Sequence, residues 1–265
     1  MCAIRLVVSD LDGTLLSEDH TLSPSVKRTV RQFVEKGGLF TFATGRPFLT
    51  AADYELELKL GLPYILCNGS IIAQKGEMIE SHIFQGGDLL PLLEEADEAG
   101  LDVLLFQEKQ VSVFRVTEGV RTFERKESTA CRMLDRGLEE WKALDLQKVI
   151  LMGDVSISRR LWDRHVPDFN GTFTGLQSES NYWEIIPGSQ SKGAALRKLA
   201  ERMGIRREEI MALGNQMNDL DMLHYAGIGV AVANSPDELK RHADYICSSS
   251  YGDGVVEAME RFCGL

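Results

Sequence analysis

Near its N-terminus the chain carries a nearly unbroken apolar run, Ile4-Arg5-Leu6-Val7-Val8, and directly after it Ser9-Asp10-Leu11-Asp12-Gly13-Thr14. A run without polar alternation reads as a strand buried on both faces, and such strands belong to parallel sheets covered by helices on either side. That points to an α/β fold, with strands joined by helical crossovers. Two carboxylates where the strand stops meet no structural need, because a buried acid is costly unless it is paired. They read either as a plain strand-end turn, which Asp and Gly favour, or as an acid pair placed for phosphoryl-transfer chemistry. Gly13 supplies the turn and Thr14 a hydroxyl beside it.

The rest of the chain supports the sheet. Ser23-Pro24 reads as a helix N-cap followed by proline in the first helical position, and Val26, Val30, Phe33 and Val34 recur at helical spacing until Gly37. Leu39 to Ala43 is a second strand, a helix runs to about Leu60, and Pro63 to Cys67 is a third strand. The order β-α-β-α-β predicts parallel, right-handed crossovers. Asn68-Gly69 and Lys75-Gly76 mark turns around short strands. From about Phe84 the rhythm changes. Asp88 to Ala99 reads as helix, Asp102 to Phe106 and Gln110 to Phe114 as strands, and Glu118 to Lys142 as a charged, helix-favouring stretch. Strands near Lys148 to Met152, Thr172 to Gly175 and Tyr182 to Ile186 follow, and Pro187-Gly188 marks a hinge.

The α/β alternation then resumes. Ser191 is an N-cap, and Leu196, Leu199, Ala200 and Met203 give a helical face that Gly204 stops. Strands at Ile210 to Leu213, Ile228 to Val232 and Tyr245 to Cys247 alternate with helices near Asp219 to Tyr225 and Pro236 to His242. The predicted architecture is α/β, a doubly wound parallel sheet formed by residues 1–83 and 188–265, with residues 84–187 an inserted α+β domain.

With 265 residues, 44% of them hydrophobic, the chain is long enough for two cores. A net charge of −11 opposes non-specific binding to nucleic acid or to an anionic membrane. Five cysteines, Cys2, Cys67, Cys131, Cys247 and Cys263, form no close pair and fit reduced packing thiols. No basic leader or membrane-length apolar run is present, which makes the cytoplasm the expected location. Asn68-Gly69-Ser70 and Asn170-Gly171-Thr172 match a glycosylation sequon but read as Asn-Gly turns. The histidines His20, His82, His165, His224 and His242 are scattered, which predicts surface or packing roles and gives no zinc-binding pattern.

Ligands of doubly wound sheets bind beyond the carboxyl ends of the strands. Asp10 and Asp12, Thr44, and Asn215 to Asp219 each follow a predicted strand, and Lys192 begins the helix after the hinge, so all are expected on one rim. Taken singly, Thr44-Gly45-Arg46 is a turn tripeptide, Lys192 a solvated charge and Asn218-Asp219 a helix cap.

Asp10-Leu11-Asp12-Gly13-Thr14-Leu15 resembles the first motif of the haloacid dehalogenase-like superfamily. Thr44-Gly45-Arg46, Ser191-Lys192-Gly193 and Gly214-Asn215-Gln216-Met217-Asn218-Asp219 resemble its later motifs in order. More than a hundred residues between the second and third motifs resemble the Cof-type phosphatases, which carry a type II cap there. Asn68-Gly69, Asn234-Ser235-Pro236 and Asp253-Gly254-Val255 are also similar to Cof-type segments.

The resemblance implies a Rossmann-like core and a Mg²⁺-dependent phosphatase acting on a small phosphomonoester, a sugar or cofactor phosphate. It makes Asp10 the nucleophile of an aspartyl-phosphate pathway and Asp12 the general acid and base, with Thr44 and Lys192 completing the catalytic set. Phosphate or substrate contacts are implied for Thr44, Gly45, Arg46, Lys192 and Asn218. Asp10, the Asp12 carbonyl and Asn215 are the implied metal ligands, and Asp219 is expected to move in beside them. A small phosphorylated metabolite is the expected partner, with no nucleic acid, membrane or obligate protein partner.

One residue departs from the pattern. Cof-type proteins carry aspartate where this chain has Asn215. An amide oxygen still ligates Mg²⁺, but a unit charge at about 4 Å is worth roughly 4 kcal/mol at an effective dielectric of 20, so weaker metal binding is expected. The substitution also motivates a reading as a phosphate-binding or regulatory protein with impaired catalysis. Transfer to a sugar hydroxyl, as in a phosphotransferase or mutase, is the third reading.

Overall fold

The computed structural model describes residues 4–137 and 139–265, which leaves Cys2 outside the described residues. The chain divides into two compact units, one of Met1–Thr44, Asp53–Ile79 and Ser191–Leu265, the other of Gly45–Ala52 and Glu80–Gln190. The sequence places Gly45 to Ala52 in the first unit, whereas the folded chain groups them with the second.

The first unit holds a five-stranded sheet in the order Tyr245–Ile246, Ile228–Ala231, Ile210–Gly214, Leu6–Ser9, Leu39–Phe42. Every pairing in it is parallel. Leu6–Ser9 lies inside the sheet, buried along its whole length, as its apolar run predicts. Strand order reverses beside it. The next strand in the chain, Leu39–Phe42, pairs on one side, and the strands after the long insertion build out on the other. Register places Ser9 opposite both Leu213 and Phe42, so the residues just beyond all three strands emerge at one level. The expected third strand, Tyr64–Leu66, meets the sheet through a bridge between Ala43 and Ile65 and pairs antiparallel with Ile71–Gln74.

Local chemistry explains the helices. Ser23 Oγ accepts the Val26 N–H at the start of Pro24–Glu35, which buries Val26, Val30 and Phe33. Ser191 Oγ likewise caps Lys192–Met203 by accepting the Ala194 N–H. A final helix, Tyr251–Cys263, packs on Pro24–Glu35 and is absent from the sequence reading. Gly252 and Gly254 in its first turn are poor helix formers and disguise it.

The second unit is a six-stranded sheet ordered Phe173–Glu179, Tyr182–Pro187, Lys148–Met152, Asp102–Phe106, Val111–Val113, Cys131–Met133. It is antiparallel except for its last pair. Leu90–Glu98 and Val155–His165 cover one face through Leu92, Leu93, Leu161 and Trp162, packed against Val103, Leu105, Val149, Leu151 and Trp183. Glu118–Glu127 covers part of the other through Val120 and Phe123. The expected helix from Glu118 to Lys142 therefore stops at Glu127. Ser128 ends it in a left-handed cap, φ 49°, and the chain turns into the edge strand Cys131–Met133. The helix Val155–His165 is likewise absent from the sequence reading, its Val155 and Ile157 being weak helix formers.

Cys67 and Cys247 are buried and Cys131 and Cys263 partly covered, and none of the four is joined in a disulfide. Burial pushes Cys131 up to about 11 and Cys247 and Cys263 up to about 12, which keeps them as unreactive thiols. Among the described residues no helix is long and apolar enough to cross a membrane.

Candidate active site

Asp10 stands at the carboxyl end of the interior strand, its N–H bonded to the Leu213 carbonyl at 2.9 Å. The chain then turns sharply through Gly13, φ 79°, and closes with Leu15 N–H on the Asp10 carbonyl at 3.2 Å. This tight loop folds Thr14 back so that its Oγ1 donates to Asp10 Oδ2 at 3.0 Å. Asn234 anchors the loop from the other side, its Nδ2 donating to the Gly13 carbonyl at 2.8 Å.

Lys192 lies in the first turn of its helix with only 1% of its surface exposed. Its ammonium donates to Asp10 Oδ1 and to Asp219 Oδ1, each at 2.6 Å. Asp219 is fully buried, and its other oxygen accepts the backbone N–H groups of Asn215 at 2.9 Å and Gln216 at 3.0 Å. The sequence names Asp219 with the metal ligands. In the structure one of its oxygens accepts from Lys192 and the other from the loop after Ile210–Gly214.

Burial pushes the Asp10 carboxyl up to about 7, opposed by Lys192 and reinforced by Asp219 and Asp12. Lys192 moves upward too. Burial works against its ammonium, but the carboxylates of Asp10 and Asp219 outweigh that cost. One ammonium thus serves two buried acids, with Asp12 nearby, and the cluster carries an excess of negative charge that a further cation would relieve.

Among the described residues no group of three or more His, Cys, Asp or Glu is arranged to hold a metal. The site offers a mixed oxygen set instead. The inward atom of the Asn215 amide lies 3.0 Å from Thr14 Oγ1 and 3.1 Å from both the Asp12 carbonyl oxygen and Asp10 Oδ2. With its NH₂ inward, Asn215 hydrogen-bonds to these acceptors. With its oxygen inward, that oxygen lies 3.1 Å from both the Asp12 carbonyl oxygen and Asp10 Oδ2, close to the spacing of adjacent ligands around an octahedral Mg²⁺ with bonds of about 2.1 Å. The residues present therefore fit Mg²⁺ through Asp10, the Asp12 carbonyl and Asn215.

Asp12 has a partner that the sequence misses. His20 Nδ1 lies 3.0 Å from Asp12 Oδ1, both side chains are partly exposed, and the Tyr54 hydroxyl donates to the His20 carbonyl at 2.9 Å. The expectation of a surface or packing role for His20 is thus replaced by contact with an acid of the cluster. Chain turns close to Asp12 give no periodic signal that would reveal it.

Thr44 is buried and fixed through its peptide, donating to Ile65 O at 2.9 Å and accepting from Asn68 N–H at 3.0 Å. Asn218 Nδ2 donates to Asn68 Oδ1 at 3.0 Å. Gly45 and Arg46 belong to the second unit. There the Gly45 carbonyl accepts from Lys148 Nζ at 2.8 Å, and Arg46 pairs with Glu127 at 3.1 Å. The structure thus gathers Asp10, Asp12, Lys192, Asn215 and Asp219, joins Thr44 to Asn218 through Asn68, and gives the Arg46 guanidinium an internal carboxylate.

A family model described as haloacid dehalogenase-like hydrolase matches residues 7–259. The chain belongs to that family. It is 25% identical over 268 residues to a 5-amino-6-(5-phospho-D-ribitylamino)uracil phosphatase of Bacillus subtilis, covering 98% of each chain. To a pyridoxal phosphate phosphatase of Escherichia coli it is 27% identical over 268 residues, with 96% of each covered. A haloacid dehalogenase-like hydrolase from Bacteroides thetaiotaomicron superposes with a TM-score of 0.84 at 28% identity, over 97% of this chain and 99% of that one. Within the family, the chain is a phosphatase, a phosphoric monoester hydrolase.

Proposed function

We propose that this phosphatase is Mg²⁺-dependent and hydrolyses a small phosphomonoester, a sugar or cofactor phosphate, through an aspartyl-phosphate. The observation that carries the reading is Lys192, buried between Asp10 and Asp219 at 2.6 Å from each, beside the oxygen set of Asp10, Asp12 and Asn215. Met1–Thr44, Asp53–Ile79 and Ser191–Leu265 form the catalytic core, and Gly45–Ala52 with Glu80–Gln190 the type II cap. Relatives named for ribitylaminouracil phosphate and pyridoxal phosphate support a small phosphorylated metabolite as substrate.

Asp10 attacks phosphorus, the bond to the leaving alkoxide breaks, and Asp12 gives that oxygen its proton. Asp12 then takes a proton from water as the water oxygen attacks phosphorus, and the bond to Asp10 breaks to release orthophosphate. His20 holds the Asp12 carboxyl through both steps. Lys192 and Thr44 bind phosphoryl oxygens, and Asn218 contributes a further contact. Bound Mg²⁺ supplies charge neutralisation between carboxylate and phosphate. General acid and base assistance of this kind is worth about 10²- to 10⁴-fold.

A panel of phosphomonoesters assayed with and without millimolar Mg²⁺, with Asp10→Asn as control, tests the reading. Turnover that requires Mg²⁺ and disappears in Asp10→Asn is expected. A chain that binds orthophosphate yet turns over no ester would instead support the phosphate-binding reading that Asn215 motivates, and a product phosphorylated on an added sugar would support transfer.

A further inference from the structure

Between Tyr64–Leu66 and Ile71–Gln74, three consecutive residues take left-handed backbone angles: Cys67 at φ 48°, Asn68 at φ 52° and Gly69 at φ 101°. For a non-glycine residue this conformation costs roughly 1–2 kcal/mol, and here both non-glycine residues are also buried. A hairpin turn does not require such a sequence, since glycine serves the geometry without strain. Strain retained in a packed interior suggests that the side chain matters.

Asn68 reaches two elements at once. Its N–H donates to the Thr44 carbonyl at 3.0 Å, and its Oδ1 accepts from Asn218 Nδ2 at 3.0 Å. Gly69 reaches a third. A Cβ there would lie 2.1 Å from the carbonyl oxygen of Ser191, the cap of the helix that Lys192 begins. Asn218 Oδ1 is buried and accepts no hydrogen bond among the described residues. Its contact with Asn68 is therefore what sets the direction of the Asn218 amide.

We propose that Asn68 is a positioning residue for phosphate, registering Thr44 and Asn218 against each other on a turn seated at the start of the Lys192 helix. The inference rests on the reading of those three residues as phosphate contacts. Asn68→Gly keeps the left-handed backbone, relieves its strain and removes only the amide. In the full chain with Mg²⁺, it is expected to retain the wild-type Tm within a few degrees. Its kcat/KM for p-nitrophenyl phosphate should fall about tenfold, the worth of one hydrogen bond. The Tm increase caused by orthophosphate should shrink as well. Asn218→Ala should have the same effects, and the double variant should be no worse than the weaker single variant.

A lower Tm with unchanged turnover and orthophosphate response would show a framework role and overturn the proposal, as would effects of the two substitutions that multiply. If the wild type turns over no ester yet its orthophosphate response is lost in Asn68→Gly, the positioning role stands and the phosphatase reading fails. No orthophosphate response in the wild type overturns the positioning role.

Discussion

One atom separates Asn215 from aspartate, and the inward atom of its side chain faces Asp10, the Asp12 carbonyl and Thr14. An amide can turn its NH₂ toward these acceptors, whereas a carboxylate at the same place would repel Asp10 unless a cation lies between them. Asn215→Asp is therefore expected to lower the Tm in EDTA and to lower the Mg²⁺ concentration for half-maximal activity by about tenfold or more. A magnesium titration of both proteins, read by thermal shift and by turnover, decides this, and coincident curves would refute it. Lys192 makes the complementary case. Lys192→Met leaves Asp10 and Asp219 buried without their shared cation, so stability should fall by about 3–5 kcal/mol in denaturant titrations. Turnover should drop at least about hundredfold. Wild-type stability in that variant would show that the ammonium is not what holds the two acids.

At the scale of elements, the final helix is tied to the sheet edge by one carboxylate. Glu257 accepts the Ser248 and Ser249 N–H groups and the hydroxyls of Ser248 and Tyr245. Burial opposes its ionisation, yet the donors headed by Ser248 outweigh it and hold Glu257 down at about 2. A carboxyl lowered on folding stabilises the native state above its unfolded value near 4.5 and loses that contribution as pH falls through about 2. Glu257→Gln should therefore lower the Tm near neutral pH and flatten the acid limb of a stability profile between about pH 4.5 and 2. Parallel acid titrations of the two proteins measure it, and identical acid limbs would refute the assignment. Elements also show where local signals fail. The charges from Glu118 to Lys142 favour helix throughout, but Ser128 ends the helix and Cys131–Met133 pairs in parallel with Val111–Val113, a partner about twenty residues back.

For the whole molecule, the two units have separate cores, and the oxygen cluster with Lys192 lies in the first. Calorimetry should resolve two unfolding steps, with Mg²⁺ and orthophosphate raising only one of them. Leu93→Ala, in the core of the second unit, should lower the other by about 2–5 kcal/mol. A single transition that moves equally under both treatments would refute independent cores.

What the sequence determined by itself was everything carried by strong short-range order. The apolar strand into Asp10, the alternation of strands with capped helices and the sequence order of the site loops define a parallel α/β sheet and the rim of its interior strand. Hydrophobic periodicity and turn chemistry act between neighbours, so a single chain displays them. Tertiary structure alone decided the pairings made across distance: His20 against Asp12, Arg46 against Glu127, Asn68 between Thr44 and Asn218, and Asp219 holding Lys192. These contacts depend on which side chains a register brings within about 3 Å, and a carboxylate or an amide looks the same in sequence whichever partner it meets. The acid pair was legible as two carboxylates at the end of a strand, while the partners each of them meets were set by folding.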